Sequence, residues 1–158
     1  MSELVRRDKL PERPAPGLVI CYAYLWCRES KSGVSVEGLK NRPCAVVLSY
    51  ERIPQLPDRV IVDVAPITHQ PGDEAVEIPL RVKKRMGLDD EHSWVVTTEV
   101  NRFIWPGPDI RRPRQIWQPG GGTWHWGFLP DDIFRKVRGL VLKHRDEKTL
   151  LVVPRPGS

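Results

Sequence analysis

"GLKNRPCAVVLS", residues 38–49, sets a proline against an unbroken apolar run of strand length. An apolar stretch this short with β-branched residues suits a strand buried on both faces. Pro43 fixes its own backbone and biases Arg42 towards an extended conformation. The guanidinium of Arg42 therefore leaves the mouth of a buried strand in a restricted direction, where a long charged side chain contributes little to packing. An arginine so held can grip a phosphate through two parallel hydrogen bonds, or it can pair with a surface carboxylate.

Strand-like segments lie on both sides of this stretch. "GLVICYAYLW" precedes it, rich in Val, Ile, Tyr and Trp, with the polar loop "CRESKSGVSVEGLKN" between. "DRVIVDVAPIT" follows and alternates Val60, Val62 and Val64 with Ile61, Asp63 and Ala65; Pro66 interrupts or ends it. "AVEIPL" and "SWVVTTEVNRFIW" are read as two further strands, and "TLLVVP" as a last one. One segment is helical by pattern: in "LPDDIFRKVRGLVLKHR", Asp131 or Asp132 can cap the start, and Ile133, Phe134, Val137, Leu140 and Val141 share a face. "RVKKRMGL" is a further short helix candidate. No internal repeat is present. The expected architecture is mainly β (α+β): a small, strongly bent antiparallel sheet or barrel with a C-terminal helix.

The 158 residues suit one domain with one core. Residues 1–15 carry charges of both signs with several prolines and read as a flexible arm; 16–153 form the domain and 154–158 a tail. The net charge of +5 fits either a solvated basic face or a polyanionic partner. Cys21, Cys27 and Cys44 are odd in number and contain no CxxC pair, which argues against a disulfide framework or a zinc ribbon and for a reducing compartment. No stretch reaches the roughly 18–20 consecutive apolar residues of a membrane span, and the N-terminus lacks the apolar core of a secretory signal. A cytoplasmic protein without membrane partners is expected.

A second candidate site element is "VAPITHQ", residues 64–70. Thr68 can donate to a phosphate oxygen and His69 can exchange a proton near neutrality; alternatively, both belong to a solvated turn. Residues 105–127, "WPGPDIRRPRQIWQPGGGTWHWG", interleave Trp105, Trp117, Trp124 and Trp126 with Arg111, Arg112 and Arg114. Such a mixture suits single-stranded nucleic acid, whose bases stack on rings while guanidiniums meet phosphates. Trp124 or Trp126 can instead close an end of the fold, because alternating residues face opposite ways. "GGGT" lacks the GK[ST] ending of a phosphate loop, and His125 has no partner at metal-ligand spacing.

"PGLVICYAY", "GLKNRPCAVVLS", "VDVAPITHQ" and "GFLPDDIFRKVRGLV", taken in order over roughly residues 16–142, resemble the MazF/PemK (Kid) toxins of type II toxin–antitoxin systems. The resemblance implies an SH3-like barrel, a homodimer, a cognate acidic antitoxin, and sequence-selective cleavage of single-stranded RNA with no metal or cofactor. The family's active-site arginine falls on Arg42 and its threonine on Thr68. A 2′-hydroxyl attacking the adjacent phosphorus would give a 2′,3′-cyclic phosphate, with Arg42 stabilising the phosphorane and Thr68 holding a non-bridging oxygen. Glu37, His69 and Glu99 are candidates for the base. The chain departs from the family where many members carry an Asp-Gln pair and a basic residue; "TTEVNRF" offers Glu99, Asn101 and Arg102 there, and the 105–127 connection is longer. Arg102, Arg111, Arg112, Arg114 and Trp117 are expected to bind RNA. The alternatives are a non-catalytic module binding nucleic acid or antitoxin, and a relative of the gyrase-poisoning toxins, against which Arg42 with Thr68 speaks.

Overall fold

Leu18–Ala23, the first strand (β1), is buried along its whole length, so both of its faces meet protein. The computed structural model describes residues 9–32, 40–51, 54–55, 57–112 and 124–156. The remaining elements are α1 (Cys27–Ser32), β2 (Asn41–Tyr50), β3 (Ile61–Thr68), β4 (Val76–Ile78), α2 (Leu80–Met86), β5 (Ser93–Val95), β6 (Glu99–Ile104), β7 (Ile110–Arg111), β8 (His125–Phe128), α3 (Asp131–Asp146) and β9 (Leu151–Pro154).

Strand alternation builds two cores from the same three strands. Val19 and Cys21, Ala45 and Val47, Ala65 and Ile67 face one cluster, which Ile133, Val137 and Val141 of α3 and Val82 and Met86 of α2 cover. Leu18, Ile20, Tyr22, Cys44, Val46, Val62 and Val64 face the other, closed by Phe103, Trp105 and Ile110. A bulge between Val46 and Leu48 interrupts the β2–β3 register and turns Val47 and Leu48 into the same cluster, which sharpens the local twist.

The sheet runs β4-β5-β3-β2-β1-β7, with β6 also on β3, β8 also on β1 and β9 parallel to β6. It forks because β3 pairs with β6 through residues 61–64 and with β5 through Ile67 and Thr68. Among the described residues no pairing joins the two outer edges, so the antiparallel sheet is not closed into a barrel.

The segment expected as one strand over 93–105 is two, β5 and β6, because β5 leaves with β4 while β6 turns to the lower half of β3. The loop after β1 contains the short helix α1, which buries no residue and so shows no apolar periodicity. Pro130, not an aspartate, occupies the N-cap of α3; Asp131 and Asp132 lie in its first turn and Lys143, His144 and Arg145 in its last, both favourable to the helix dipole. In α3, Ile133, Val137 and Val141 bury an i, i+4, i+8 stripe, each stabilising by about 1.5–3 kcal/mol. α2 ends where Gly87 takes a left-handed conformation at φ 85°.

Arg155, placed by its sequence position in the tail, is buried. It donates to the Ala23 carbonyl (2.7 Å), Asn101 Oδ1 (3.1 Å) and Asp109 Oδ2 (2.9 Å), and stands over the Tyr22 ring. At the other end, Leu10 packs on the second core and Trp105 donates to the Pro11 carbonyl, so the arm is docked from there.

Candidate functional site

Where β2 begins and β3 ends, the sheet opens on a cleft of about 850 Å³. The β2–β3 register pairs Ala45 with Ala65 and Cys44 with Pro66. Arg42 lies two residues before Cys44 and Thr68 two residues after Pro66, so both follow the same end of the β2–β3 ladder. Both line the cleft, together with Trp26, Arg28, Lys40, His69, Lys83, Asp89 and Ser93.

Arg42 stands over the Trp26 ring, its Cζ 5.2 Å from the centroid, and Arg28 of α1 stands at the same distance from the same ring. Among the described residues no carboxylate pairs with either guanidinium, and the buried Nε of Arg42 has no hydrogen-bond partner. With Lys40 these groups make the mouth of the cleft cationic. Thr68 Oγ accepts the Gln70 N–H at 3.3 Å, the turn contact its sequence permits, and keeps its own O–H to donate.

His69 is tied, not free in solvent. Its Nε2 lies 2.8 Å from Asp89 Oδ2 and 3.7 Å from Glu91. Partial burial, the largest single influence on Asp89, raises its pKa, yet hydrogen bonds from Lys83, His69 and the Glu91 N–H outweigh it and leave the carboxyl below its ordinary value. One ligand atom each of His69, Asp89 and Glu91 falls within 4.8 Å of the others. Lys83 bonds Asp89 Oδ1, which leaves Oδ2 beside His69 Nε2. Cys21 also reaches the cleft; burial pushes its thiol up to about 11 against an opposing influence from Arg111, which leaves it a protonated thiol at neutral pH.

Of the three base candidates, His69 is the one that lines the cleft among the described residues. Glu99 does not line the cleft: Oε2 accepts the Cys27 N–H at 2.8 Å, and burial raises its pKa against that bond and the charge of Arg28. Glu37 lies outside the described residues, as do Arg114 and Trp117.

The described arginines expected on RNA, Arg102, Arg111 and Arg112, do not line the cleft and have partners of their own. Arg102 gives two hydrogen bonds to Asp63, at 2.7 and 2.9 Å, with Tyr50 bonded to the same carboxylate. Arg111 donates to the Pro108 carbonyl and lies 3.7 Å from Asp109. Arg112 stands over Trp124 at 5.6 Å. Trp126 is buried in the first core and His125 lies within β8, its Nδ1 accepting the Gly127 N–H.

Trp26, Arg28, Lys83 and Asp89 were not singled out from sequence. Trp26 ends an apolar run and passes for core; Lys83 is one of several cations in "RVKKRM". The one usable signal was the Val82–Met86 pair at i, i+4, which turns the neighbouring Lys83 partly inward. No protein-family model matches the chain, and no curated protein matches it.

Proposed function

We propose that the chain is a metal-independent endoribonuclease for single-stranded RNA, the toxin of a toxin–antitoxin pair of the MazF/PemK kind. One observation carries this reading: Arg42 and Thr68 line one cationic cleft, and among the described residues the guanidinium of Arg42 meets an aromatic ring and no carboxylate. The mainly antiparallel sheet with its C-terminal helix supports the α+β class of this reading; the SH3-like barrel is what the sequence resemblance implies.

The chemistry follows from the donors present. With Nε2–H turned to Asp89, His69 keeps a lone pair on Nδ1 to take the 2′-hydroxyl proton. The 2′-oxygen then bonds to phosphorus as the P–O5′ bond breaks, and the 5′-oxygen leaves with a proton from water. Arg42 and the Thr68 hydroxyl stabilise charge on the phosphoryl oxygens, a contribution worth about 10²–10³ in rate for one well-placed donor. Arg28 and Trp26 would hold the neighbouring nucleotide by phosphate contact and stacking. An acidic, partly disordered antitoxin tail would occupy the same cleft and fold as it binds. A homodimer and a cytoplasmic site of action complete the reading.

A second reading, a non-catalytic module that binds nucleic acid or antitoxin, is favoured by one observation: Glu99, in the strand that departs from the family pattern, does not line the cleft and accepts the Cys27 N–H. Substitution separates the two. Arg42→Ala and Thr68→Ala should each abolish growth inhibition and RNA loss in expressing cells while the purified variants keep their thermal transition. Growth inhibition that survives both changes contradicts the nuclease.

A further inference from the structure

Lys83 has no evident reason to be buried. Its side chain is 2% exposed in the wall of the cleft, on α2 between Val82 and the surface residue Lys84. An ammonium group has three N–H donors, and all three are used: one to Asp89 Oδ1, one to the Glu91 carbonyl, one to Ser93 Oγ. The charge is thus spent inside the protein and cannot hold a phosphate. What it does hold is Asp89. That carboxylate is half exposed and sits on a loop, yet Oδ1 is fixed by Lys83 and the Glu91 N–H, which leaves Oδ2 aimed at His69 Nε2.

We propose that Lys83 is a positioning residue: it fixes Asp89, and through Asp89 the ring orientation and tautomer of His69, so that Nδ1 faces the cleft. This rests on the reading of His69 as the base. A carboxylate that orients an imidazole in this way selects which nitrogen carries the proton. The groups bearing on the Asp89–His69 pair are Lys83 from α2 and Glu91 and Ser93 from the loop and β5, with Lys40, Arg42 and Arg28 lining the same cleft.

The test is the 15N signature of the His69 ring, which reports the tautomer without any need for activity. In the wild type, the neutral ring should be a single Nε2–H form. In Lys83→Met it should be a mixture of both forms, because the carboxylate that selects the nitrogen is no longer held. An unchanged tautomer in the folded variant would reduce Lys83 to a tie between α2 and its loop. If Lys83→Met does not fold, the wild type decides: with Lys83 in place the neutral His69 ring should be a single Nε2–H form hydrogen-bonded to the Asp89 carboxylate, and a mixed ring there overturns the proposal. Should the wild type cut no RNA, the nuclease reading fails by that result alone, while the tautomer measurement still decides whether Lys83 orients His69.

Discussion

Arg102→Ala separates a structural from a nucleic-acid role for an arginine that the sequence alone places on RNA. Asp63 is fully buried at the β2–β3 bulge, and its carboxylate takes two hydrogen bonds from Arg102 and one from Tyr50. Removing the arginine leaves a buried negative charge with one neutral donor. Breaking a buried ion pair from one side costs about 3–5 kcal/mol. Arg102 keeps 37% of its side-chain exposure, so water can reach the vacated place and the lower end, about 3 kcal/mol, applies. For a chain of this size, where 1 kcal/mol is worth about 2–4 °C, the transition should fall by about 6–12 °C. The assay is thermal unfolding at neutral pH beside a filter-binding measurement of single-stranded RNA well below the transition. A transition within about 2 °C of the wild type, together with a loss of RNA affinity, would refute this reasoning and return Arg102 to the RNA.

Four further outcomes are expected. Trp26→Ala removes the ring on which Arg28 and Arg42 both stand and should weaken single-stranded RNA binding by about 1–3 kcal/mol; Arg28→Ala should lower the salt slope by about 0.7, one phosphate contact, with both read from salt titrations. Burial raises the pKa of Glu99, so the stability linked to its proton is present below the ordinary glutamate value and lost as pH rises through the folded one; Glu99→Gln, which can still accept the Cys27 N–H, should raise the transition at pH 7.5 relative to pH 4 in paired thermal scans. Gly107→Ala should lose more than about 1 kcal/mol in denaturant unfolding, because φ is +71° there and the added Cβ would stand 2.8 Å from the Phe103 ring, itself stacked on Tyr22 and near Trp105.

Much of the fold was legible because burial on both faces leaves a strong trace. "LVICYA" and "CAVVL" are apolar without a break, "IVDVAPIT" alternates, and α3 carries its stripe at helical spacing. The boundary between β5 and β6 was not legible: Val96–Thr98 contains no glycine or proline, and what separates the strands is a change of partner on β3. The candidate site was legible where chemistry sits at strand ends, as with Arg42 and Thr68, which the structure brings to one cleft. Lys83, Asp89 and Trp26 were not, because their roles come from distances between separate elements. Arg102 misled for the converse reason: its partner Asp63 lies 39 residues away.

The central claim is tested most directly by incubating the purified, antitoxin-free protein with mixed-sequence single-stranded RNA in EDTA, beside Arg42→Ala, and analysing the product ends. The account predicts fragments from the wild type alone, ending in 2′,3′-cyclic phosphate or its hydrolysis product with free 5′-hydroxyls. Intact RNA across varied sequences, or equal cleavage by Arg42→Ala, would contradict it.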